Sequence, residues 1–148
     1  MARNDTDRRL RDAVRRLMVA HGALDETRRP CGTPLSLAHA HALLELLQCD
    51  DAMTVSELAN KLAIDRTNVS RLCARMEEAG ELVRRPHPGD GRARALRLTA
   101  PGKRLARQVD ASSARHFADL VRRLGDAAEP IVEALRLLED TMTATEKR

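Results

Sequence analysis

The sequence predicts a mainly α-helical chain with one small β-hairpin. Three observations predict it. Apolar residues recur at helical spacing through most of the 148 residues. Ser, Thr and Asp stand just before several of those stretches, where their side chains can cap a helix start. One strip dense in turn formers, Pro86-His87-Pro88-Gly89-Asp90-Gly91, lies between two short alternating runs.

The elements follow in order. From about Thr6 to Leu24, Leu10, Val14, Leu17, Met18 and Leu24 draw one stripe down a helix. Residues 25–36 contain Pro30, Gly32 and Pro34 and read as a loop. Ser36 can cap a second helix over 37–48, whose broad arc of Leu37, Ala40, Leu43, Leu44, Leu46 and Leu47 suggests burial on several sides. Thr54-Val55-Ser56-Glu57 is a capping box, and the short helix it opens buries Val55, Leu58, Ala59 and Leu62. After Ala63-Ile64, Asp65 caps a helix to about Ala79, with Val69, Leu72, Cys73 and Met76 inward and Gly80 as its stop.

Leu82–Arg85 and Ala93–Leu98 are the expected hairpin strands. Thr99 then caps a helix to about Leu124, with Pro101 tolerated in the first turn. At ~1.5 Å per residue it spans roughly 37 Å, longer than a compact domain of this size needs. Its stripe is Leu105, Val109, Phe117, Leu120 and Leu124, and Gly125 breaks it. A last helix starting within 126–130 aligns Ile131, Leu135, Leu138 and Met142.

Composition narrows the function. No run of about 18 apolar residues occurs, and the N-terminus MARNDTDRRLRDAV lacks an apolar signal core, so a soluble cytoplasmic protein without membrane contact is expected. Three widely spaced cysteines, Cys31, Cys49 and Cys73, argue against a disulfide scaffold and a C-x-x-C metal knuckle. With no Trp or Tyr and only Phe117, base stacking on single-stranded nucleic acid is disfavoured, as is an aromatic ligand pocket. No nucleophile–base–orienter set or oxyanion-type glycine motif is present, so no enzyme, catalytic residue or cofactor is expected. Net charge is +4, but Arg66–Arg107 holds eleven Lys/Arg against four Asp/Glu, a local +7. Such a block is the footprint of a phosphate-facing surface.

Two short helices joined by a tight turn and followed by a hairpin make a winged helix-turn-helix. The second helix keeps an apolar inner face and offers Arg66, Thr67, Asn68, Ser70, Arg71 and Arg75 outward, side chains that hydrogen-bond base edges or phosphates. The hairpin presents Arg92 and Arg94 beside glycines, where a guanidinium can enter a minor groove. A polar helix face or a basic hairpin alone is ordinary solvated surface. The ordered series of capped helix, turn, polar-faced helix and arginine-bearing hairpin carries the expectation of double-stranded DNA binding.

These residues resemble the MarR family of bacterial transcriptional regulators. The resemblance lies in Thr54–Ala59, Val69-Ser70-Arg71-Leu72, Met76–Gly80 and, most diagnostically, Asp90–Thr99 closed by Gly102, similar to the family's Asp-x-Arg and Leu-Thr-x-x-Gly wing signature. It implies a dimer whose first and last two helices interlock. It also implies Arg92 as the minor-groove residue, held through an ion pair by Asp90. Glu81 departs from the apolar residue common after the helix-ending glycine, which puts local strand packing in doubt. The residues make their own case for a homodimer: the terminal helices carry apolar stripes that so short a chain cannot cover.

The expected organisation is therefore a helical dimerisation region over 1–36 and 104–148 around a winged helix-turn-helix domain over 37–103. The expected function is a dimeric, sequence-specific regulator, a repressor rather than an activator, on a pseudo-palindromic operator. A ligand, thiol or metal sensor on the same scaffold is the alternative, and a helical protein-interaction module the distant one. Cys31, beside Arg28 and Arg29, is the thiol candidate. His41 and His116 are the effector candidates, although His116 falls in an apolar stripe and reads first as a core or interface histidine. His39 and His41 point to different helix faces and cannot chelate one metal; Cys73 reads as core packing.

Overall fold

The structure is a computed structural model describing residues 2–23, 35–49 and 51–146. Its elements are α1 (Ala2–His21), α2 (Leu37–Gln48), α3 (Val55–Leu62), α4 (Arg66–Glu78), β1 (Leu82–His87), β2 (Asp90–Leu98), α5 (Ala100–Leu124) and α6 (Ala128–Glu146), with a 3₁₀ turn at Gly125–Ala127. Contacts divide the chain into two units, Met1–Ser112 and Ser113–Arg148, with the boundary inside α5. A mainly helical chain with a two-stranded antiparallel hairpin is the fold that periodicity and caps predict.

In the first unit the core gathers on α2. Ala42 and Leu43 are fully buried, and Leu58, Val69, Leu72, Cys73, Met76, Leu82 and Leu96 pack in the same cluster. Ala106 and Val109 of α5 complete it. The broad apolar arc of α2 is thus satisfied from several elements, as its width predicts.

Local chemistry sets the element ends. Ser36 Oγ accepts from His39 N–H at 3.2 Å and opens α2. At α3, Thr54 Oγ1 accepts from Glu57 N–H at 3.2 Å while Glu57 Oε2 accepts from Thr54 N–H at 2.7 Å, a complete capping box. Asp65 Oδ1 takes the N–H groups of Thr67 and Asn68 at 2.8 and 3.1 Å and starts α4. At the other end of α4, Gly80 adopts φ +73°, Glu81 N–H reaches Met76 O at 2.9 Å, and Gly80 N–H reaches Glu77 O at 3.0 Å. That paired closure needs a left-handed residue, which glycine supplies without strain.

The start of α5 is locked onto this end. Thr99 Oγ1 donates to Gly80 O at 2.6 Å and accepts from Gly102 N–H at 3.1 Å, and Thr99 N–H donates to Glu81 O at 3.0 Å. A Cβ on Gly102 would fall 2.0 Å from Glu81 O, so only glycine allows the approach.

The strands run further than alternation predicts. The six residues expected as a turn shrink to Pro88-Gly89, and β1 and β2 reach His87 and Asp90. The register explains it: Pro86 faces Arg94 but His87 faces Asp90, so Gly91-Arg92-Ala93 bulge out of β2 opposite no partner. Pro86 fits there because the hairpin's outer positions do not require its missing N–H.

Residues outside those described include Leu24, the loop prolines Pro30 and Pro34, and Cys31. Along α1, Leu10, Leu17, Met18 and Val19 are exposed. The second unit pairs a stretch of α5 with α6 across Gly125, at φ +55°, the break its sequence predicts. His116 is an exposed residue of this chain, its ring edge-on to exposed Phe117 with centroids 5.4 Å apart, so of the two positions expected for it, core or interface, the core of the chain is excluded. Helical periodicity placed it on the apolar stripe, but the stripe is buried only through Val109.

Candidate nucleic-acid interface

The helix-turn-helix is α3, the three residues Ala63-Ile64-Asp65, and α4. Ala63 closes α3 in the left-handed region at φ 51°. On α4 the two faces separate cleanly: Val69, Leu72, Cys73 and Met76 are buried, while Arg66, Thr67, Asn68, Arg71 and Arg75 are exposed and Ser70 is half-buried. Every side chain singled out on this helix for base or phosphate contact is therefore accessible, with Ser70 set lowest. Two anchors hold the helix pair. Lys61 Nζ meets Glu45 Oε2 at 3.3 Å between α3 and α2, and Arg84 Nε donates to Glu77 Oε2 at 2.9 Å between β1 and the last turn of α4. Arg84 belongs to the basic block, yet its charge is used internally.

Arg92 and Arg94 are exposed on β2, as are Arg85 and Arg97 on the two strands. The hairpin apex is Pro88-Gly89, so Arg92 sits at the centre of the bulge rather than at the extreme tip. Asp90 supports it through the main chain. Its Oδ1 accepts from Arg92 N–H at 3.0 Å, and among the described residues no ion pair joins the two side chains. The ion pair implied by the family resemblance is replaced by a local turn in which a short acidic side chain bonds the backbone two residues on. On the other side of the apex, His87 Nδ1 accepts from Gly89 N–H at 3.0 Å.

Among the described residues two groups are displaced from their ordinary titration range. The hydrogen bonds from Thr54, backbone first and hydroxyl second, hold the Glu57 carboxyl below the ordinary glutamate range. Burial pushes the Cys73 thiol up. A neutral thiol among apolar neighbours is inert packing, in line with its inward position.

Composition and spacing missed one contact. His39 Nε2 lies 2.6 Å from Glu81 Oε2, both side chains largely buried, tying the first turn of α2 to the junction of α4 and β1. Glu81 is the residue where an apolar side chain is common, and its oddity was the available signal; its partner is 42 positions away. Of the sensor candidates, Cys31 lies outside the described residues and His41 is exposed. His41 lines an open cavity of about 750 Å³ with Ser36, His39, Leu72 and Arg75. Among the described residues no three His, Cys, Asp or Glu side chains group as a metal site, and no helix is long and apolar enough to cross a membrane.

Known proteins share this arrangement. A protein assigned to transcriptional regulation of the hcr operon in Thauera aromatica is 28% identical over 87 residues, 59% of this chain and 52% of the relative. The chain thus aligns with about half the length of that relative. A MarR family transcriptional regulator from Silicibacter pomeroyi is 27% identical, with a TM-score of 0.69 over 90% of this chain and 93% of that one. The transcriptional repressor CouR, solved on a 23-mer DNA duplex, is also 27% identical, with a TM-score of 0.65 over 92% of this chain and 90% of its own. Residues 33–93, from the approach to α2 into the bulge of β2, match the MarR family profile. With its capped helix pair and bulged hairpin, the chain is thus similar in sequence over residues 33–93 and in fold over most of its length to the MarR family of transcriptional regulators.

Proposed function

We propose that the chain is a sequence-specific regulator that binds double-stranded DNA as a homodimer and acts as a repressor. The observation that carries it is α4, whose inner side chains are buried and whose outer face leaves Arg66, Thr67, Asn68 and Arg71 unshielded from its capped N-terminus onward and Arg75 unshielded in its last turn. In this reading α4 lies in the major groove, Thr67, Asn68, Ser70 and Arg71 meet base edges, and Arg66 and Arg75 hold phosphates. Arg92, raised on its bulge, enters the adjacent minor groove, with Arg94 on the flanking backbone. The CouR complex supports the DNA-binding part by kinship.

Dimerisation draws support from surface chemistry. Large apolar side chains stand exposed on α1 and, in the second unit, on α5 and α6, including Phe117, Val121, Ile131, Leu135 and Met142. Water-exposed stripes of this kind mark an interface, and a second copy supplies the same stripes in return. A two-fold dimer then reads half-sites about 10–10.5 base pairs apart.

Selection of bound sequences from a random duplex pool tests the proposal. A palindromic motif is expected; no enrichment from a folded chain defeats it. A second reading, a small-molecule effector acting on the same regulator, is favoured by the cavity beside His39, His41 and Arg75. Ligand-dependent release from the selected duplex, lost in His41→Ala, is its expected signature.

A further inference from the structure

The two residues flanking the hairpin apex use their side chains in the same way. His87 Nδ1 accepts from Gly89 N–H at 3.0 Å, and Asp90 Oδ1 accepts from Arg92 N–H at 3.0 Å. Each acceptor closes on the amide two residues ahead, so two consecutive side-chain-closed turns run from His87 to Arg92. The ladder contributes little here: regular pairing stops at Pro86–Arg94, and beyond it only His87 faces Asp90.

The histidine ring also lies against the apex. A Cβ placed on Gly89 would meet His87 Cε1 at 3.4 Å and Nδ1 at 3.5 Å, so the ring covers the glycine in van der Waals contact. His87 itself is half-buried, unlike its neighbours Pro86, Pro88, Gly89 and Asp90, which are exposed. An accepting Nδ1 carries no proton, which places the proton of the neutral ring on Nε2.

We infer that His87 is a positioning residue for DNA binding: by closing the apex on Gly89 it fixes Asp90, and through Asp90 the bulge that presents Arg92. The inference rests on the proposed DNA function and adds to it a residue that touches neither base nor phosphate. Glycines at 89 and 91 leave the apex backbone free to sample many conformers. A bulge without a fixed start loses its aim, because Arg92 must reach its groove before it can bond there. Closing the chain next to it removes that freedom in advance.

The test uses the full chain on a mixed-sequence duplex long enough for two half-sites, by fluorescence anisotropy at fixed low salt, with thermal melts as a folding check. His87→Leu keeps bulk but removes the acceptor, and is expected to weaken binding about fivefold, the equivalent of one local hydrogen bond. His87→Asn restores an acceptor for the amide two residues on, as Asp90 already does, and is expected to bind close to wild type. In an Arg92→Ala background His87→Leu is expected to cause no additional loss, since its effect runs through Arg92.

The ¹⁵N spectrum of the wild-type ring, with an unprotonated Nδ1 coupled to the Gly89 amide, is the expected signature and needs no variant. Its absence overturns the inference, even if His87→Leu fails to fold. So does a His87→Leu chain that binds like wild type, an Asn variant no better than Leu, or an undiminished loss in the Arg92→Ala background. A folded wild-type chain without salt-dependent DNA affinity overturns the DNA reading and this inference together; the other outcomes strike the inference alone.

Discussion

Helices α2 and α6 are both rich in Leu and Ala, and the chain treats them in opposite ways. In α2, Ala42 and Leu43 are fully buried. In α6, Ile131, Val132, Leu135 and Met142 remain between 41% and 57% exposed. The difference lies in what surrounds each helix, since an apolar face of given width is content only where other elements cover it. The first unit closes its own core around α2. The second leaves an apolar face about half exposed, and burying the remainder of each such side chain would be worth on the order of 1 kcal/mol. The same division separates polar side chains. Asp65 and Glu57 use their acceptors within the chain, whereas Arg92 stays exposed at the centre of its bulge, only its N–H bonded to Asp90.

Truncation in the two helices puts the contrast under the greatest strain. Leu43→Ala is expected to destabilise folding by about 2–5 kcal/mol in chemical denaturation, because it opens a cavity in a closed core. A cost near zero would mean that α2 is not the centre of that core. Leu135→Ala preserves helix propensity and is expected to weaken self-association by about 1–3 kcal/mol in sedimentation equilibrium. A wild-type chain that stays monomeric at every concentration would remove the partner from the explanation of α6. A melting temperature that rises with chain concentration would sharpen it.

Arg92→Ala is expected to leave folding and self-association unchanged while weakening DNA binding by about 1–3 kcal/mol in a titration at fixed salt. An unaltered affinity would take the hairpin out of the interface. Asp65→Ala touches an internally satisfied group, so its cost of about 1 kcal/mol is expected in stability itself, read from denaturant midpoints.

The smallest effect concerns Glu57. Its carboxyl is held below the ordinary range by Thr54, so the stabilisation is fully present above the unfolded-state pKa and disappears as pH falls through the folded value. Thr54→Ala keeps the backbone N–H and removes only the hydroxyl, so the Glu57 titration followed by NMR is expected to move part of the way upward toward the ordinary range. An unmoved titration would show that the hydroxyl takes no part in holding the charge.

How far the chain was readable from its residues depends on the distance over which each contact acts. Ser36, Thr54, Asp65 and Thr99 bond amides two or three positions ahead, and all four were legible as helix starts because donor and acceptor share one short segment. Gly80 was legible for the same reason, as a left-handed stop. The extent of the hairpin was not, because the six turn-forming residues look alike until the register divides them into strand ends, the Pro88-Gly89 apex and the first residue of the bulge. For His116, read as core or interface, exposure excludes only the core, because periodicity fixes which face of a helix is apolar but not how far along it neighbours reach.

Amino-acid order alone was thus enough for the helix starts, the inner face of α4 and the arginine-bearing hairpin, since each is settled by neighbours a few residues away. Folding in three dimensions was needed to bring Glu81 to His39, to press Gly102 against Glu81 O, and to leave α6 uncovered. Those outcomes depend on which distant segments meet, and a local pattern carries no term for a partner 42 residues away.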